Sequence, residues 1–160
     1  MASAVAVLIL AAPAAAAGLP KAGTLVPGRS LGGVRLGESP STIRAALGRF
    51  YGTCRSCARR TWYFTYRPFD KRGLAVEFDR GRVSGVYTLW RPTGWHAPNK
   101  LRFGSTPLAV HLLVGATRTV TCGGYEALVR DGAHARTAYY LFAGRLWGFG
   151  LFRRGTPPCR

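Results

Sequence analysis

Apolar residues recur at two different periods along this chain, and the change from one to the other outlines its elements. Ile43, Ala46 and Leu47, and again Val110, Leu113 and Val114, fall at i, i+3 and i+4, the spacing of one helical face. Ser39 and Thr106 precede these stripes as natural N-caps, because a hydroxyl oxygen accepts an orphan N–H of the first turn. Pro40 and Pro107 follow at the first helical position, where a missing N–H costs nothing, and Gly48 and Gly115 stop each run. This predicts helices over 40–47 and 107–114, each about 12 Å long and too short to stand without a sheet to lie on. Leu74, Val76 and Phe78 instead alternate with Ala75, Glu77 and Asp79, the pattern of a strand with one face in water. A turn at 79–82 leads into a strand over 83–90. Runs at 125–130, 136–142 and 146–152 repeat the pattern, the last two joined by Ala143-Gly144, and connections this short imply antiparallel meanders.

The two halves align at an offset of 67. Val34-Arg35-Leu36-Gly37-Glu38-Ser39-Pro40 meets Leu101-Arg102-Phe103-Gly104-Ser105-Thr106-Pro107, and Gly81-Arg82-Val83 finds a counterpart in Gly144-Arg145-Leu146. The expected fold class is therefore α+β: two helix-plus-antiparallel-meander repeats, with the helices packed on one face of the sheet. Residues 18–91 form the first repeat and 99–160 the second, with a Pro- and Gly-bearing joint over 92–98.

Ahead of the first repeat, residues 4–17 are uncharged and apolar, are broken by Pro13 and end in Ala15-Ala16-Ala17. A bilayer span needs roughly 20 residues, so segment 1–17 reads as a secretory signal peptide and the protein as secreted, with no transmembrane segment. No cysteine near the cleavage position offers a lipid anchor. The four cysteines fit export, since an even count in an oxidising compartment favours disulfides. Cys54 and Cys57 enclose two residues, and Cys122 with Cys159 would tie a tail bearing Pro157 and Pro158 to the second meander. A redox C-x-x-C wants a following helix, whereas strand-like Thr61-Trp62-Tyr63-Phe64-Thr65-Tyr66 comes next; a zinc site wants a second close pair.

The opening Leu31-Gly32-Gly33-Val34-Arg35-Leu36-Gly37, with Ser39-Pro40, Ile43, Leu47 and Gly48, resembles a family of exported actinobacterial proteins of unknown role. The repeated helix-then-meander unit is also similar to β-lactamase inhibitor proteins and to small lipoproteins of outer-membrane barrel assembly. The resemblance implies helices on an antiparallel sheet and an interaction role rather than catalysis. It carries over no contact residues.

Charge then narrows the partner. Of 160 residues, 23 are Lys or Arg against six Asp or Glu, a net charge of +17, in a chain apolar enough at 48% to bury a core. Arginine outnumbers lysine 20 to three, with one asparagine (Asn99) and no glutamine, a bias read first as GC-rich coding and second as selection for an anionic partner. Arg55, Arg59, Arg60, Arg67, Lys71 and Arg72 crowd one stretch between aromatic residues, a mix that single-strand nucleic-acid readers use. No nucleic-acid motif accompanies it, so specific nucleic-acid binding is not expected. Gly28-Arg29-Ser30-Leu31-Gly32 matches G-x-S-x-G but follows a proline and leads into a turn, not into a helix. His96, His111 and His134 stand in three unrelated contexts, and Glu77 and Asp79 are expected to balance nearby arginines in solvent. No catalytic residue, metal or cofactor is expected.

The resulting expectation is an exported, non-enzymatic interaction module, monomeric, whose partner is a protein or an anionic envelope polymer. A small secreted hydrolase with an unrecognised site is the alternative. Because short helices cannot cover every large ring on the sheet, Trp62, Tyr66, Trp90, Trp95, Tyr139 and Trp147 are the expected binding face.

Overall fold

A computed structural model describes residues 18–98 and 100–160; the segment read as a signal peptide lies outside the described residues, as does Asn99. Eight strands form one continuous antiparallel sheet: β4 (Gly52–Thr53), β5 (Arg60–Thr65), β6 (Gly73–Asp79), β7 (Arg82–Leu89), β8 (Arg118–Thr121), β9 (Glu126–Asp131), β10 (Ala135–Phe142) and β11 (Arg145–Arg153). Their spatial order is β4-β5-β6-β7-β11-β10-β9-β8, so two four-stranded meanders meet at β7 and β11. The seam is short. Gly85 to Tyr87 face Phe152 to Gly150, and beyond them the Thr88 hydroxyl accepts the Phe149 N–H at 2.9 Å in place of a ladder bond.

Two helices, α1 (Pro40–Leu47) and α2 (Pro107–Val114), carry the expected caps: Ser39 accepts the Thr42 N–H and Thr106 the Ala109 N–H, each at 3.2 Å. They do not make a helical layer. The architecture is predominantly antiparallel β around one eight-stranded sheet, which corrects the expected α+β arrangement of two helix-plus-meander repeats. The physical reason is reach. Each eight-residue helix buries only two side chains, Ile43 and Leu47 or Val110 and Val114, while Ala46 and Leu113 stay exposed.

Irregular chain covers the remainder of that face. A small sheet of β1 (Leu25–Val26), β2 (Ser30–Leu31) and β3 (Val34–Arg35) contributes Leu25, Leu31 and Val34, and the 92–103 connection contributes Trp95, Ala97 and Leu101. Beneath them Trp62, Phe64, Val76, Tyr139, Phe149 and Leu151 complete the main core. The G-x-S-x-G segment forms the β1–β2 turn and β2 itself, so the strand-turn-helix elbow of a nucleophile is not built there.

Tyr139 sits at 0% exposure with a hydroxyl that has no hydrogen-bond partner among the described residues. Burial pushes its phenol up to about 12 even though the Arg130 charge opposes the shift. A buried hydroxyl without a partner is a desolvation cost with no return. Tyr139→Phe should therefore raise stability by about 1 kcal/mol in urea unfolding, whereas Tyr140→Phe should lower it, because the Tyr140 hydroxyl donates to the Pro158 carbonyl at 2.6 Å.

The opposite sheet face was expected to meet water at Glu77 and Asp79. Asp79 does, but Glu77 is buried at 4% exposure. Segment 154–160 crosses this second face: the Thr156 carbonyl accepts from Arg136, the Pro158 carbonyl accepts from Tyr140, and Cys159 is bonded to Cys122. Small residues at Ala75, Gly85, Ala138 and Gly150 leave room for the rings that lie flat there. A Cβ at Gly150 would stand 2.5 Å from the Phe152 ring and 2.6 Å from the Tyr140 hydroxyl. The second disulfide, Cys54–Cys57, closes the β4–β5 turn.

Candidate functional site

The six aromatics expected to form a binding face separate into two groups. Trp62 lies in the core, stacked on Tyr51 at 4.1 Å and capped by the Arg60 guanidinium at 5.0 Å; Tyr139 is buried beside Phe149. Trp95 is also buried, and its Nε1 donates to the Tyr66 hydroxyl at 2.5 Å, while that hydroxyl donates to the Pro20 carbonyl. Burial raises the Tyr66 pKa, with the Trp95 hydrogen bond opposing. These four hold the fold together. The sequence could not separate them from surface rings, because a strand presents aromatics to both sheet faces and the covering chain comes from distant segments.

Trp90 and Trp147 remain. They lie 6.4 Å apart at the end of the sheet where β5 turns into β6 and β10 into β11, and Phe142 and Tyr125 flank Trp147 at 6.4 and 6.2 Å. Trp90 is 56% and Phe142 59% exposed; Phe69, in the β5–β6 turn, is fully exposed and lines one cleft with Trp90, Lys71 and Arg91. This row of rings includes Phe69 and Phe142, which sequence reasoning missed: Phe69 lies in a turn with no periodic signal, and Phe142 is the last residue of β10, where alternation no longer tells a buried ring from an exposed one.

Two of its members sit in unusual backbone. Phe69 has φ 65° and Trp90 φ 53°, the left-handed region that bulky residues avoid at a cost of roughly 1–2 kcal/mol. At Phe69 no burial offsets that cost, and at Trp90 more than half of the side chain stays in solvent. Such outliers cluster where a residue is kept for contact rather than for stability.

The basic cluster is likewise divided. Arg55 and Arg59 lie in the β4–β5 turn at the far end of the sheet, and Arg60 packs over Trp62 and Phe78. Arg67, Lys71 and Arg72 belong to the aromatic end, where the Lys71 ammonium stands 5.4 Å over the Trp90 ring. Asp70 is ion-paired to Arg72 at 2.9 Å, and hydrogen bonds from the Arg72 side chain and backbone hold its carboxyl below the ordinary range. Lys21, Arg67, Lys71 and Arg91 have no ion pair among the described residues, so this end keeps its positive charge. Among the described residues no three His, Cys, Asp or Glu come together as a metal site, and no helix is long and apolar enough to cross a membrane.

No family model and no curated protein matches the chain. Two solved structures share its fold. One is a DUF4309 family protein, YjgB, of Bacillus subtilis, 15% identical over 72% of this chain and 78% of its own, with a TM-score of 0.52. The other is an extracellular protein containing a SCP domain from Bacillus anthracis, 9% identical over 74% of this chain and 44% of its own, with a TM-score of 0.54. At these identities the likeness extends to the fold alone. The two disulfides fit a location outside the reducing cytoplasm.

Proposed function

We propose that this protein is an exported, non-catalytic interaction module that binds an anionic polymer of the cell envelope through the basic, aromatic end of its sheet. One observation carries the reading: exposed rings held in costly left-handed backbone, at Phe69 and Trp90, stand beside Arg67, Lys71 and Arg91, which have no ion pair among the described residues. Flat rings offer stacking area at little entropic cost, while Lys71, Arg67 and Arg91 supply the countercharge. A polymer suits this arrangement better than a folded protein partner, because the rings run across one end of the sheet and the charge of +17 attracts over a wide area. The apolar 4–17 segment with its small-residue ending and the two disulfides support export, as does the extracellular neighbour from Bacillus anthracis.

Retention on an immobilised polyanion such as heparin should be strong at low ionic strength and collapse with added salt, since the screening length falls from about 8 Å at physiological salt to about 3 Å at 1 M. Retention that survives molar salt would contradict an electrostatic module.

A further inference from the structure

The 92–103 connection encloses a cleft of about 500 Å3 lined by Arg91, Thr93, Trp95, His96, Arg102 and Phe103. It adjoins the cleft beside Trp90, with which it shares Arg91. The cleft is preformed. Its Trp95 wall is slotted against Gly23 and Gly32, where a Cβ would stand 2.5 and 2.6 Å from the indole. His96 is held through its backbone by Leu25 and Gly23, at 2.9 and 3.1 Å. Its ring is held by the Thr24 hydroxyl and the Gly94 carbonyl, at 3.4 and 3.2 Å.

What the cleft offers a ligand is donors. The five ion pairs of the described residues use Arg72, Arg118, Arg136, Arg153 and Arg160, leaving the Arg91 and Arg102 guanidinium groups without a carboxylate. The Thr93 hydroxyl accepts from Arg72 Nη1 at 3.5 Å, which frees its own proton to donate. A carboxylate brings a single negative charge to these two guanidinium groups, whereas a phosphoryl group carries close to two and so matches both. A phosphoryl group presents three peripheral oxygens and can take both forks. The volume is several times that of the anion alone and lies in the range of ligand pockets, and Phe103 supplies an apolar wall for a ring. We propose that this cleft is a socket for one phosphorylated sugar unit of the bound polymer; the assignment rests on the anionic-polymer reading above.

Titration calorimetry or NMR with glucose 6-phosphate and with glucuronate separates the possibilities. The sugar phosphate should bind at least tenfold more tightly than glucuronate. The double variant Arg91→Gln/Arg102→Gln should lose that preference, and Arg55→Gln/Arg59→Gln, which removes two charges at the far end of the sheet, should keep it. Equal binding of the two sugars, or undiminished phosphate binding by the Arg91/Arg102 variant, overturns the socket. If neither sugar binds while the unmodified protein is still retained on polyanion, the socket alone is overturned. If polyanion retention is itself absent, the reading beneath it falls as well.

Discussion

Replacing Glu77 with alanine should lower the stability of the fold by about 3 kcal/mol and loosen segment 154–160 from the sheet. Glu77 lies on β6 at 4% exposure, and both of its carboxylate oxygens accept from the Arg160 guanidinium, Nη2 to Oε2 at 2.8 Å. The guanidinium is itself sandwiched, 4.4 Å above the Phe152 ring and 5.7 Å from Tyr87, with its side chain only 15% exposed. Its Nη1 donates to the carbonyls of Pro157 and Cys159. Removal of one partner leaves a charge in a poorly solvated slot with its strongest bond unmade, a loss far above the 0–1 kcal/mol typical of an exposed pair. The disulfide to Cys122 prevents Arg160 from leaving freely, and Tyr125 donates to its carbonyl as well. Urea unfolding of Glu77→Ala, Arg160→Ala and the double variant gives the coupling directly. A coupling below about 1 kcal/mol would place the pair with ordinary surface ion pairs.

That pair also marks where the sequence stopped being legible. Alternation along β6 assigns Glu77 to water, and it would be right for a sheet with one bare face. The cover comes from residues 83 positions away in sequence, and nothing local to Glu77 records it. The same limit applies to Trp62, Trp95 and Tyr139, whose burial depends on Tyr51, on Gly23 and Gly32, and on the small β1–β3 sheet. Local chemistry read well. Ser39 and Thr106 cap their helices because the hydroxyl, the following proline and the terminal glycine all act within one short segment. The weight of helix against sheet did not follow from those segments. Two eight-residue helices with two buried residues each leave most of one face to irregular chain, and the fold is a β-sheet with helical accessories.

The candidate site was half legible. Trp90 and Trp147 were visible as large rings on strands, and Lys71 and Arg67 as part of a basic run. What brings them together is the turn geometry at one end of the sheet, which also carries Phe69 and Phe142 to the same edge. Left-handed backbone at Phe69 and Trp90 has no sequence signature, since glycine or asparagine is the residue usually found in such positions.

Trp90→Gly is the measurement that tests the central claim most directly, because the two possible roles of this residue move its two readouts in opposite ways. Glycine accepts φ 53° without strain, and the lost ring is more than half exposed. Thermal or urea unfolding should therefore be unchanged or improved by about 1 kcal/mol. Affinity for the polyanion at physiological ionic strength should fall at least tenfold, since the ring that carries Lys71 at 5.4 Å and backs onto Trp147 at 6.4 Å is gone. Leu112→Ala, which removes an exposed apolar side chain from α2 on the other side of the sheet, should leave that affinity as it was. A Trp90→Gly protein that binds the polyanion as tightly as the unmodified one would contradict the assignment of this end of the sheet as the binding surface.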